Sequence, residues 1–327
     1  MTIIMPLNIY IPDSISPDAQ EYLSILNEEA QTDPFPAPDD LDAWRMMHAL
    51  NEAYFTELDE DIIEQYHPDL EEKLLDDVPV IDVRPRAWQE NGKVLVYVHG
   101  GGYVFFSART SLVGCVPLAD VTGLRVISID YSVAPEAKFP VAIDQITCVI
   151  QALMGAGYQP GDIAVFGDSA GGALAVGAVL KMRDANQPQP AALVLWSPWA
   201  DVTRTGDSYF TLADQDTLDY ETQLKNAALA YADKSQHRHP YVSPVYADYN
   251  GGFPPTLIQG GTKEIFLSNA VRLYQAMDQA GVQVKLDLYE GMWHVFQALG
   301  VSDIPEVDIA LGKTADFFKK HLMLRNV

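Results

Sequence analysis

Asp162-Ile-Ala-Val-Phe-Gly167-Asp-Ser169-Ala-Gly-Gly172-Ala-Leu-Ala-Val-Gly-Ala-Val-Leu180 is the stretch on which the fold turns. An apolar run rich in β-formers ends at a glycine, a serine stands two residues on, and a helix of small residues follows. Strand, sharp turn and helix form the setting in which a serine hydroxyl is thrust out at the end of a sheet. Such a turn strains the backbone of its central residue, and Gly167 and Gly171 relieve the crowding beside it. Ser169 is therefore the candidate nucleophile, and the N–H of Ala170, at the start of the helix, is placed to face a developing oxyanion. Gly206-Asp207-Ser208 has neither a second glycine nor a preceding strand and is set aside.

A second glycine cluster supplies the matching half. Lys93-Val-Leu-Val-Tyr-Val98 reads as a buried strand and runs into His99-Gly100-Gly101-Gly102. Glycines there let another loop bring backbone N–H groups close to the same oxygen without Cβ atoms in the way. Outward from these two stretches the chain alternates. Strands are expected at 80–83, 94–98, 124–129, 163–166, 192–196, 256–259 and 284–289, and helices at 110–121, 141–154, 170–181, 267–280 and 307–321. Short Val/Ile/Leu runs between helices predict a mostly parallel sheet covered on both faces. Residues 1–75 read instead as helical and acidic, with helices at 17–30 and 40–54 and no strand. A polar insertion at 201–238, helical at 220–233, has no strand either. These segments, 1–75 and 202–238, are expected to form a helical cap over a catalytic core of 76–201 and 239–327. Apolar residues recurring at Tyr22, Leu23, Ile25 and Leu26, and at Trp44, Met47, Leu50 and Tyr54, predict that the first helices turn an apolar face inward.

A serine nucleophile needs a base, and the base an orienting carboxylate. His48 and His67 fall in the cap, His237 and His239 in a loop expected to be exposed, and His321 at the C-terminus. His99 belongs to the glycine loop, where shaping the turn is its expected task. The His237/His239 pair has no ligand cluster beside it, so no metal is expected. His294 follows the last strand through Glu290-Gly-Met-Trp293 and comes last in the order serine, acid, histidine. It is the candidate base. Glu264 follows the preceding strand through Gly260-Gly-Thr-Lys263 and is the candidate acid, with Asp287 and Glu290 as rivals.

His99-Gly-Gly-Gly102, Asp130-Tyr-Ser-Val-Ala-Pro-Glu136 with Phe139-Pro140, Gly167-Asp-Ser-Ala-Gly-Gly172 and Gly291-Met-Trp-His-Val-Phe296 together resemble the hormone-sensitive-lipase-like branch of the α/β hydrolases over residues 78–323. The resemblance implies an α/β-hydrolase fold with a helical cap partly built from the N-terminus. It implies a serine carboxylesterase acting on short- to medium-chain esters. It also implies Ser169, His294 and Glu264 as nucleophile, base and acid, with the N–H groups of Gly101, Gly102 and Ala170 as oxyanion hole and no cofactor. Many members carry Asp-Pro-Leu around the acid, where this chain has Glu264-Ile-Phe-Leu. A lactone or amide hydrolase on the same triad is the alternative activity. A non-catalytic receptor of the same fold, like the gibberellin receptors, would lack the histidine that His294 supplies.

Composition narrows the partners. Asp and Glu number 45 against 21 Lys and Arg among 327 residues, a formal charge of −24. Nucleic acid and anionic membranes are disfavoured, and a neutral ester is favoured over an anionic one. Cys115 and Cys148 lie in apolar helical patterns and are expected as buried free thiols. Met1–Pro6 is not a basic region followed by a long apolar core, and no apolar run is long enough to span a bilayer. A soluble, cytoplasmic enzyme, with homo-oligomer formation open, is the expectation.

Overall fold

The computed structural model describes residues 7–29, 33–299 and 303–323. Met1–Pro6 and Ala30, the last residue of the first predicted helix, lie outside them. Eight strands form one sheet in the order β1 (Asp69–Leu75), β2 (Val78–Arg84), β4 (Arg125–Ile129), β3 (Val94–Val98), β5 (Ile163–Asp168), β6 (Ala192–Trp196), β7 (Thr256–Gly261) and β8 (Val284–Tyr289). β1 and β2 run antiparallel to their neighbours, and all pairs from β4 to β8 are parallel. Central strands β3, β5 and β6 are buried on both faces, which is why they read as unbroken apolar runs.

The period-2 alternation of these strands divides the core in two. Val94, Val96, Val98, Val165, Leu193 and Leu195 face the layer of α4 (Val141–Gly155), α5 (Ser169–Asp184) and α8 (Leu267–Gln279). Leu95, Tyr97, Phe166, Val194 and Trp196 face α3 (Leu112–Thr122), α9 (Pro305–His321) and α1 (Pro17–Glu29).

The expectation that residues 1–75 hold no strand is corrected by β1. Asp69-Leu-Glu-Glu-Lys-Leu-Leu75 is an edge strand with no fully buried residue, so its composition is polar and charged. A two-residue turn, Asp76-Asp77, with φ of 46° and 64°, joins it to β2. Positive φ at both positions is the tight hairpin geometry that matches strand twist, and aspartate tolerates it.

One further helix and the insertion complete the architecture. α2 runs from Leu41 to Tyr66, twelve residues past the expected end at Tyr54. Its inward face is the expected one only at its start: Trp44 is buried and Met47 packs against the core, whereas Leu50 and Tyr54 are exposed. Asp59 holds that face down instead, accepting the N–H groups of Leu112 and Val113 at 3.0 and 3.1 Å at the start of α3. Burial raises its carboxyl to about 6, against the lowering pull of those two donors. The insertion carries α6 (Ser208–Thr211), a π-helical turn at Tyr220–Leu224 and α7 (Lys225–Tyr231), so the single helix expected at 220–233 is split. Cys115 is a buried thiol as expected, and Cys148 is only half-buried.

Candidate active site

Ser169 is the first residue of α5 and directly follows β5, with φ of +51°. That left-handed conformation costs an L-residue energy and persists because the surroundings fix it. A Cβ added to Gly171 would lie 2.1 Å from the carbonyl oxygen of Val98, so only glycine lets α5 sit this close to β3. Asp168, the residue before the serine, ties the elbow to the glycine loop. Its Oδ1 accepts the Tyr97 hydroxyl at 2.7 Å and the N–H of Gly100 at 3.1 Å. Gly101, at φ +96°, turns so tightly that a Cβ would meet the Phe105 carbonyl oxygen at 2.3 Å.

His99 has the shaping task expected of it. Its buried ring stacks on Tyr131 with centroids 4.1 Å apart, and its Nδ1 meets the Gly100 carbonyl oxygen at 2.9 Å. The Tyr131 hydroxyl donates to the His99 carbonyl oxygen at 2.8 Å. Burial lowers the His99 pKa to about 4, so the ring is neutral at pH 7.

His294 stands beyond β8 and reaches both partners. Its Nε2 is 3.0 Å from Ser169 Oγ, and its Nδ1 is 3.0 Å from Glu264 Oε2. Burial pushes the imidazole pKa down, but the hydrogen-bonded Glu264 carboxylate, with the charges of Asp216 and Asp168, outweighs this, and the net direction is upward. Glu264 is 1 % exposed. Its second oxygen, Oε1, accepts the N–H of Gly261 and, at 2.7 Å, the hydroxyl of Ser197.

The two rivals for the acid stand elsewhere. Asp287 accepts from Gln259 at 3.1 Å and pairs with Lys313 at 2.9 Å along β8. Glu290 is exposed. His237, expected in an exposed loop, is instead buried, with its Nε2 3.1 Å from the Ala232 carbonyl oxygen.

Sequence reasoning passed over Ser197. It lies just past β6 with φ +47°, donates to Glu264 and accepts the N–H of Val295 at 3.0 Å. One hydroxyl thus joins the acid loop to the histidine loop. The signal was present in Trp196-Ser-Pro-Trp199, a polar residue at the same sheet edge as the elbow.

A cavity of ≈ 440 Å³ opens on Ser169. Gly101 and Gly102 of the glycine loop line it, as do Trp293 and His294. Segments expected in the cap contribute Tyr22, Leu26, Asn51 and Phe55 from the N-terminal helices and Leu218 and Leu224 from the insertion, while core residues such as Phe105, Phe106, Val113 and Leu299 complete the lining. Tyr22 packs its ring 4.3 Å from that of Trp293. The walls are mainly apolar.

Comparison with known proteins gives a consistent set of likenesses. Residues 95–298 match the family described as the alpha/beta hydrolase fold. An esterase of Acinetobacter venetianus is 35% identical over 251 residues, spanning 73% of this chain and 82% of that one. An acetyl-hydrolase of Streptomyces hygroscopicus is 36% identical over 214 residues, 65% of this chain and 71% of that one. Among solved structures, an esterase from the bacterial hormone-sensitive lipase family superposes with a TM-score of 0.81 at 33% identity, covering 94% of this chain and 99% of that one.

Proposed function

The chain belongs to the α/β hydrolase fold family, on its hormone-sensitive-lipase-like branch, and is a carboxylic ester hydrolase; from that premise we propose that Ser169, His294 and Glu264 carry out the reaction through an acyl-enzyme. The observation that carries this reading is the hydrogen-bonded chain Ser169 Oγ, His294 Nε2, His294 Nδ1 and Glu264 Oε2, with 3.0 Å at each link and an apolar cavity at its serine end.

His294 takes the hydroxyl proton as Ser169 Oγ bonds to the ester carbonyl carbon. The carbonyl oxygen becomes an oxyanion, received by the N–H groups of Gly101, Gly102 and Ala170. The positive end of α5 adds to that stabilisation. Imidazolium then protonates the leaving alkoxide, the C–O bond breaks and the alcohol departs. Water, deprotonated by His294, attacks the acyl-serine, and collapse of the second intermediate releases the acid and restores Ser169. Glu264 keeps its negative charge throughout, fixing the imidazole tautomer and balancing the imidazolium.

The preferred substrate is a neutral ester with a short to medium acyl chain, set by a cavity that the N-terminal helices and the 202–238 insertion close as a cap. A cytoplasmic location accords with two free thiols. Among the described residues no helix is long and apolar enough to cross a membrane.

The test joins a label to a substrate panel. A fluorophosphonate is expected to add one covalent group, mapped to the peptide of Ser169, and to abolish hydrolysis of p-nitrophenyl butyrate. Linear esters are expected to outrun lactones and anilides. A label on another serine, or none on active protein, removes the assignment.

A further inference from the structure

The insertion grips the acid loop at one residue from both sides. Ile265, next after Glu264, donates its N–H to Asp216 Oδ2 at 2.7 Å, and its carbonyl accepts the Ser208 hydroxyl at 2.6 Å. Ser208 and Asp216 both come from the insertion, and both are buried. The other oxygen of Asp216 accepts the N–H of Leu218 at 3.0 Å, and Leu218 lines the cavity. Gln215, one residue earlier, receives Lys263 Nζ at 3.1 Å and the N–H of Tyr10 at 2.9 Å. Cavity wall, N-terminal arm and acid loop therefore meet at residues 215–218.

A carboxylate is an expensive group to bury there. Asp216 is 3 % exposed, and among the described residues no lysine or arginine forms a salt bridge with it. A neutral amide would offer only one acceptor oxygen to these two N–H groups, and two N–H donors alone leave a buried full charge undercompensated, so the charge calls for a further partner. We propose that Asp216 is a positioning residue of the Ser169–His294–Glu264 site: it holds the Glu264 loop in register with the cavity wall, and its charge favours the imidazolium that His294 becomes. This rests on the triad reading given above. Burial raises the Asp216 carboxyl to about 6, with His294 and the two N–H donors pulling it down and Glu264 pushing it up. The charged groups around Asp216 and His294 are Glu264 and Asp168, and Lys263 with Asp214 and Glu290 near it.

Asp216→Asn keeps the shape and one acceptor oxygen but removes the charge. We expect kcat on p-nitrophenyl butyrate to fall roughly tenfold with KM within about twofold. The acid limb of kcat/KM should move down by about half a pH unit, because an imidazole that loses a neighbouring anion is freed of its proton at lower pH. A purely structural role would lower activity or Tm and leave the limb in place, and that result in a folded variant overturns the proposal. If circular dichroism shows the variant unfolded, the wild type decides. Because an anion and a cation pull each other's pKa values apart, the His294 ring resonances of the wild type should show, below their own titration, a second inflection as Asp216 charges, and a single inflection overturns the proposal. Fluorophosphonate labelling separates the two readings. Loss of the Ser169 label in active protein sinks the triad, whereas a labelled Ser169 with an unmoved limb sinks only the role of Asp216.

Discussion

At the scale of single residues, the proposal of Glu264 over two rival acids rests on geometry that spacing only suggested. Glu264, Asp287 and Glu290 all lie between β7 and His294 in sequence. The structure brings Glu264 to His294 Nδ1 and commits Asp287 to Gln259 and Lys313. An amide in place of the acid allows the wrong imidazole tautomer and cannot balance the imidazolium. Glu264→Gln is therefore expected to lower kcat/KM on a p-nitrophenyl ester by roughly 10²–10⁴-fold. Asp287→Asn should leave it within a few-fold, with both variants checked by circular dichroism. The reverse ranking would move the acid to Asp287. Glu264 was legible because it follows a strand end at the right place in the chain. Ser197 and Asp216 were not, because each acts across a distance in sequence that only the folded chain closes.

At the scale of elements, the N-terminal helices do two things at once. Ala19 and Leu23 of α1 are wholly buried against the α3/α9 side of the sheet, while Tyr22 and Leu26 face the cavity. Deleting the first 35 residues would strip core side chains along with the wall, so point variants are the sharper test. Leu26→Trp is expected to fill part of the cavity. It should cut kcat/KM for octanoate esters about tenfold relative to acetate esters, since each methylene that no longer fits forfeits roughly 1 kcal/mol or more. A chain-length profile identical to wild type would place Leu26 away from the acyl group. The expected stripe failed at Leu50 and Tyr54 because helical spacing names a face without naming what it packs on. Here polar Asn51 and Asp59 stand on the inward face with Phe55, and Asp59 is there to bind the start of α3.

At the scale of the whole molecule, a formal charge of −24 surrounds a site that releases a carboxylate. The field helps that product leave and opposes anionic substrates, and salt screens it over about 10 Å at 0.1 M ionic strength. A hemisuccinate ester is therefore expected to be hydrolysed roughly tenfold more slowly than a neutral ester of equal length at low salt. The gap should narrow in 0.5 M NaCl. Steady-state rates for the matched pair across a salt series check this. A ratio independent of salt would mean that local contacts, not the overall field, set the preference.

Contiguous stretches carried the signals legible without the fold: the strand–turn–helix around Ser169, the glycine loop, the alternation of apolar runs, and the order of serine, acid and histidine. These are local because a strained turn or a buried strand demands particular residues in the few positions that form it. The tertiary structure alone decided which N-terminal side chains reach the cavity, that Ser197 joins the acid and histidine loops, and that Asp216 reaches Ile265. It also revealed β1, whose polar residues look like a loop until hydrogen bonds to β2 make them an edge strand. Each of these depends on where a distant segment docks, and docking is set by the summed packing and hydrogen bonding of both surfaces, which no short stretch of either one encodes.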